Sequence, residues 1–184
     1  MTKPTKGEPE RALLLVGIIA GREALLDETV RLLEAEFGRV LRVSRDWPFD
    51  HTDYYEAESG KGLLRRFVAF AEPVRQERLA ELKAAAVRIE REMARRHPDG
   101  PPRPVNIDPG LLRLGSLVLA STKISEHRIY LGEGMHAEVT LLYEGGQWKA
   151  LPWTFPDFRS SRYHDFLSEM REELKAIRKA ARNE

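Results

Sequence analysis

The chain has 184 residues, with 30 Lys+Arg against 29 Asp+Glu, a formal net charge of +1 and 42% hydrophobic residues. That length suits one domain with an ordinary core, and a near-zero net charge gives no bulk argument for nucleic acid or membrane binding. The absence of cysteine excludes disulfides, zinc–thiolate sites, iron–sulfur clusters and cysteine nucleophiles.

Residues 1–10 are polar, contain Pro4, Gly7 and Pro9, and lack the apolar core of a signal peptide. They read as a flexible tail before a single domain over residues 11–184, and the chain is expected to be cytoplasmic. Ala12–Gly21 is a continuous apolar run, as expected of a strand buried on both faces. Leu25, Leu26, Val30, Leu33 and Phe37 follow at helical spacing, and Gly38 suits the position after a helix. "RVLRVSRDW" predicts a second strand, and Leu63–Val74, stopped by Pro73, a third.

Arg75–His97 is the strongest helical pattern, with Leu79, Leu82, Ala86, Ile89 and Met93 in one stripe. Glu77, Glu81 and Glu90 sit among arginines at pairing distance along it. After the breaker "PDGPPRP", Asp108-Pro109-Gly110 carries turn chemistry. "LGSLVLAS", "HRIYL", "HAEVTLLY" and "QWKALPW" then read as strands joined at Gly132–Gly134 and Gly145–Gly146, with Ala137, Val139 and Leu141 on one face and Glu138, Thr140 and Leu142 on the other. The last segment is an amphipathic helix with Tyr163, Phe166, Met170, Leu174 and Ile177 as its stripe.

The resulting class is α+β. A ferredoxin-like β-α-β-β-α opening leads into a C-terminal β-meander and a final helix, with the helices expected on one face of a largely antiparallel sheet.

No nucleotide-loop fingerprint is present. Gly60-Lys61-Gly62 lacks the upstream glycine, the Ser/Thr and the following helix of a P-loop, and Gly17 and Gly21 have the wrong spacing for a dinucleotide fold; both sets read as turns. The chemistry lies instead in separated polar clusters. In "PFDHTDYYEAESGKG", His51 and Asp53 alternate by two and would face one side of an extended segment, as a general-base pair or metal ligands. Asn106 and Asp108 share a side in the same way and are candidate oxygen ligands for Mg or Mn.

Ser121, Lys123, His127 and Arg128 flank one hairpin and could hold an anion, lysine as a point charge and arginine as a fork. Glu138 stands inside an apolar strand, where burial is costly without a partner; exposure on an open sheet face is the other reading.

"FDHTDYYEAESG", "VNIDPGLL", "LVLASTK…HRIYLGEGMHAEVTL" and "LPWTFPDF", in this order, resemble the uncharacterised prokaryotic family numbered 4416 among the domains of unknown function. The chain departs from the family pattern at Ser59, where methionine is commoner, and at Leu111, where an aromatic is. The resemblance implies no established activity. Some members carry a GTP-binding label, but this chain has no Walker A motif.

The residues themselves give the expectation of an anion- or nucleotide-binding domain. His51, Asp53 and Glu138 are its catalytic candidates if it acts on a phosphorylated substrate with a metal ion. An RNA-binding or protein-interaction module, or a partner domain whose last helix docks elsewhere, are the competing readings. A second copy of the chain is a further candidate partner.

Overall fold

The computed structural model describes residues 10–50 and 56–181. In chain order the elements are β1 (Leu13–Ala20), α1 (Glu23–Phe37), β2 (Val40–Val43), β3 (Trp47–Pro48), α2 (Glu56–Ser59), β4 (Leu64–Phe70) and α3 (Leu79–Arg96). They continue as β5 (Val105–Leu112), β6 (Ser116–Ser121), β7 (Ile129–Gly132), β8 (Met135–Glu144), β9 (Gln147–Ala150), α4 (Pro156–Arg159) and α5 (His164–Ala180). All strands join one antiparallel sheet in the order β2-β4-β1-β5-β6-β8-β7; β3 pairs with β4, and β9 with β8. The first two crossovers interleave: β1-α1-β2 straddles β4, and β4-α3-β5 straddles β1.

The apolar run of β1 is explained by burial on both faces. Leu14, Val16, Ile18 and Ala20 pack with Leu25, Leu26 and Leu33 of α1 and Leu82, Ala86, Ile89 and Met93 of α3. On the other face, Leu13 and Leu15 pack with Phe67, Leu117, Leu119 and Leu141, under Phe158 of α4 and Phe166, Leu167, Met170 and Leu174 of α5. Helices therefore cover both faces, contrary to the one-face expectation. The stripe of α5 is consumed by the chain's own sheet, because an exposed row of large apolar side chains would forgo about 1.5–3 kcal/mol per residue. No described helix is long and apolar enough to cross a membrane.

Asp108-Pro109-Gly110 is not a turn. All three lie within β5, opposite Gly17, Val16 and Leu15 of β1. Proline cannot donate to a ladder, and β6 pairs with β5 only over Gly110–Leu112. Gly110 is there because β6 crosses so close: a Cβ would stand 2.6 Å from Leu119 Cδ2 and 2.8 Å from the Val118 carbonyl. Beyond Gly110 the two strands part.

Two side chains of α3 replace the missing neighbour. Lys83 Nζ donates to the Ile107 carbonyl (2.7 Å), and the Ile107 N–H donates to Glu90 Oε1 (2.7 Å). Glu90 thus serves β5 and also accepts from Arg103, rather than pairing along its own helix.

The outer edge of β8 is divided as well. β7 pairs with Met135–Ala137 and β9 with Leu141–Glu144. Between them, Trp153 Nε1 donates to the Val139 carbonyl (2.8 Å) and Thr154 Oγ1 to that of Thr140 (2.5 Å). A register shift against β6 sets Leu117 opposite Leu141 but Val118 opposite Val139. This bulge breaks the expected alternation, so Glu138, opposite Leu119, shares the face of buried Leu141.

Gly60 and Gly62 have φ of +85° and +66° and serve turns as expected. Gly17 is no turn residue; it sits in mid-β1.

Candidate functional site

Where β5 and β6 part, a cavity of about 390 Å³ opens. Five cationic side chains line it: Arg65 from β4, Lys83 from α3, Arg103 before β5, and Lys123 and Arg128 from the β6–β7 loop. Three carboxylates face the same space: Asp108 of β5, Glu138 of β8 and Asp157 of α4. Phe49, Leu119, Phe155, Pro156 and Phe158 form its apolar wall. A cavity of this size with a few convergent polar groups is the usual form of a small-molecule site.

Arg65 reaches the cavity by lying across β1. A Cβ on Gly17 would stand 2.7 Å from Arg65 Nη1 and 3.2 Å from the Phe67 ring, so any larger residue there would force the guanidinium to shift. The guanidinium is packed against the rings of Phe49 (5.0 Å), Phe67 and Phe158 (both 5.7 Å). It donates to Asp157 Oδ2 at 3.1 Å and stands 4.0 Å from Asp108 Oδ2. Asp157 also accepts from Tyr163, whose hydroxyl is held protonated because burial pushes its pKa well above the ordinary tyrosine range.

Asp108 accepts from Lys83 Nζ (3.1 Å) and from Asn106 Nδ2 (2.6 Å). Burial alone would raise its pKa, but the charges of Lys83 and Arg65 outweigh that and hold the carboxyl below its ordinary range. Asn106 Oδ1 accepts from Arg103 Nη2 at 2.5 Å.

Glu138, 2% exposed, is buried rather than open to solvent, and the charge is paired. It accepts from Arg128 Nε at 2.7 Å and Thr140 Oγ1 at 3.4 Å, and its Oε2 lies 3.1 Å from His127 Nε2. His127 is not part of the cavity wall; it stacks on Trp153, with ring centroids 5.3 Å apart.

Three of the polar clusters at strand ends thus meet. Asn106, Asp108, Ser121, Lys123, Arg128 and Glu138 share one cavity, with His127 immediately behind Glu138. His51 and Asp53 lie outside the described residues. As metal ligands, Asn106 and Asp108 do not form a cage: Lys83, Arg103 and each other already engage them. Among the described residues no group of three or more His, Asp or Glu is arranged to hold a metal ion.

Sequence reasoning missed Arg65, Lys83, Arg103 and Asp157. The available signals were a charged residue inside the apolar strand "LLRRFVAF" and a lysine between Leu82 and Ala86 on the buried stripe of a helix.

No curated protein matches the chain. A family model matches residues 10–174, nearly its whole length, and the chain therefore belongs to the family described as domain of unknown function DUF4416.

Proposed function

We propose that the cavity binds the phosphate of a small phosphorylated molecule. The observation that carries this reading is the convergence of Arg65, Lys83, Lys123 and Arg128 from three separate parts of the chain on one partly apolar cavity.

Two of these cations have hydrogen-bonding capacity directed by the protein. Lys83 has three N–H groups and gives two to Ile107 and Asp108. Arg128 is oriented through Nε by Glu138 and through Nη1 by the Lys123 carbonyl (2.9 Å), which fixes the plane of its fork. Ser121 Oγ accepts from the Lys123 N–H (3.1 Å), leaving its own hydroxyl proton for an acceptor on a ligand. Asp108 and Glu138 keep these cations in place, so the site is assembled before a ligand arrives and little ordering cost remains.

Thermal shift with inorganic phosphate and nucleotides, each with and without Mg or Mn, tests the proposal. A ligand at a hundred times its Kd adds about 2.7 kcal/mol, or roughly 5–10 °C in a chain of this size. Arg128→Leu should abolish that shift. No shift from any phosphate compound, or a shift that Arg128→Leu leaves intact, would refute it.

A further inference from the structure

We infer that the phosphorylated ligand carries a flat aromatic ring, so that the class bound is a nucleotide rather than a sugar phosphate, and that Phe155 is the platform for the ring. This rests on the phosphate-binding reading above and adds the other half of the molecule.

The polar groups occupy only part of the cavity; the remainder is Phe49, Leu119, Phe155, Pro156 and Phe158. Most of that wall is already used by the fold. Phe49, Leu119 and Phe158 are buried, and Phe49 and Phe158 cover the guanidinium of Arg65. Phe155 differs: it lines the cavity yet is 39% exposed, an aromatic side chain the core does not consume.

Its position has a chemical reason. Phe155 immediately precedes α4, and Arg159 of that helix donates to the Thr154 carbonyl at 2.6 Å, which ties the segment down. Trp153, two residues earlier, is anchored by its hydrogen bond to Val139. The ring of Phe155 is therefore presented on a fixed loop instead of a mobile one.

The Arg128 guanidinium lies over the Phe155 ring, its carbon 5.9 Å from the centroid, so a base would stack on the part of the ring that Arg128 leaves open. A phosphate held by Arg128 and a ring stacked on Phe155 must then be joined by a short spacer, the role the sugar plays in a nucleotide. A polar sugar alone would leave the apolar wall wet. A planar base would cover it and gain stacking on the ring.

Calorimetric titration of the full chain with inorganic phosphate, ribose phosphate and nucleoside monophosphates tests this. Base stacking should make a nucleoside monophosphate bind roughly 5- to 150-fold more tightly than ribose phosphate. Phe155→Leu keeps the bulk and loses the aromatic face; it should erase most of that advantage, read as the ratio of nucleotide to ribose phosphate affinity within the same variant. Phe155→Tyr should retain it.

Equal affinity for nucleotide and ribose phosphate in the unmodified chain would overturn the inference and leave phosphate binding standing. So would a Phe155→Leu variant that keeps the full nucleotide advantage. Failure of all three probes to bind would overturn both readings together.

Discussion

Replacing Lys83 by methionine removes an ammonium that is only 4% exposed and holds two acceptors, the Ile107 carbonyl and Asp108. Two losses and one gain enter the balance. The Ile107 carbonyl is left without its donor where no strand of the sheet covers it, at about 1–3 kcal/mol for a buried group. Asp108 loses its closest cation, and breaking a buried ion pair typically costs about 3–5 kcal/mol. Here the lower end applies, because Asp108 is a quarter exposed and retains Arg65 at 4.0 Å and the Asn106 amide. Methionine returns about 1 kcal/mol by burying an apolar chain without desolvating a charge.

The expected net destabilisation is about 3–5 kcal/mol, seen as a drop of about 1.5–2.5 M in the urea midpoint at a slope of about 2 kcal/mol per M. Adding Asp108→Asn should recover about 1 kcal/mol or more, since it removes the uncompensated carboxylate. A Lys83→Met variant within about 0.5 kcal/mol of the parent, or single effects that simply add, would refute the role given to this pair.

Three further outcomes follow from the same geometry. Gly110→Ala should cost about 1–3 kcal/mol by chemical denaturation, because its methyl would meet the Val118 backbone at 2.8 Å and neither strand can withdraw; a neutral effect would mean that β5 and β6 are not held this close. Gly17→Ala should weaken inorganic phosphate binding about tenfold in titration calorimetry by displacing Arg65, while Gly21→Ala, whose new Cβ meets nothing nearer than 3.5 Å, should leave it unchanged. Asp108 has a depressed pKa, so its contribution to stability is present above its unfolded pKa near 4 and is lost as pH falls through the lower folded value. Acid titration of Asp108→Asn should show a shallower loss of stability below about pH 4 than the parent, and an identical acid limb would contradict the assignment.

The long helices and most strands were legible because apolar periodicity is a local property of the chain, whereas the short β3, α2 and α4 carry too few residues to show a period. Half of the site was legible for a related reason: Asn106, Asp108 and Glu138 are polar residues alternating within strands, and such residues need partners. Lys83 was hidden by the habit of assigning charges on helices to solvent, although it sits between Leu82 and Ala86 on the buried stripe. Arg65 was hidden because its path depends on Gly17, a residue 48 positions away that only strand pairing brings near. Asp108-Pro109-Gly110 misled because the features that favour a turn, a missing N–H and a missing side chain, also suit a strand crossed closely by β6 and then abandoned by it.

These local departures are not scattered. Gly17 is paired with Asp108, and Leu15 with Gly110, so both glycines of the β1–β5 ladder, the proline and the partly buried aspartate fall within three successive rungs. Each is unfavourable alone: a glycine inside a strand costs about 0.5–1 kcal/mol, and a buried carboxylate costs more until it is paired. A strand selected only for stability would carry β-branched residues at those positions. Gly17 makes room for Arg65, Gly110 lets β6 approach before it leaves, and Lys83 and Glu90 close the gap from below. Rule-breaking concentrated at one place in an otherwise regular sheet is the pattern expected of a binding site, and here every compensating group also faces, or directly supports, the same cavity.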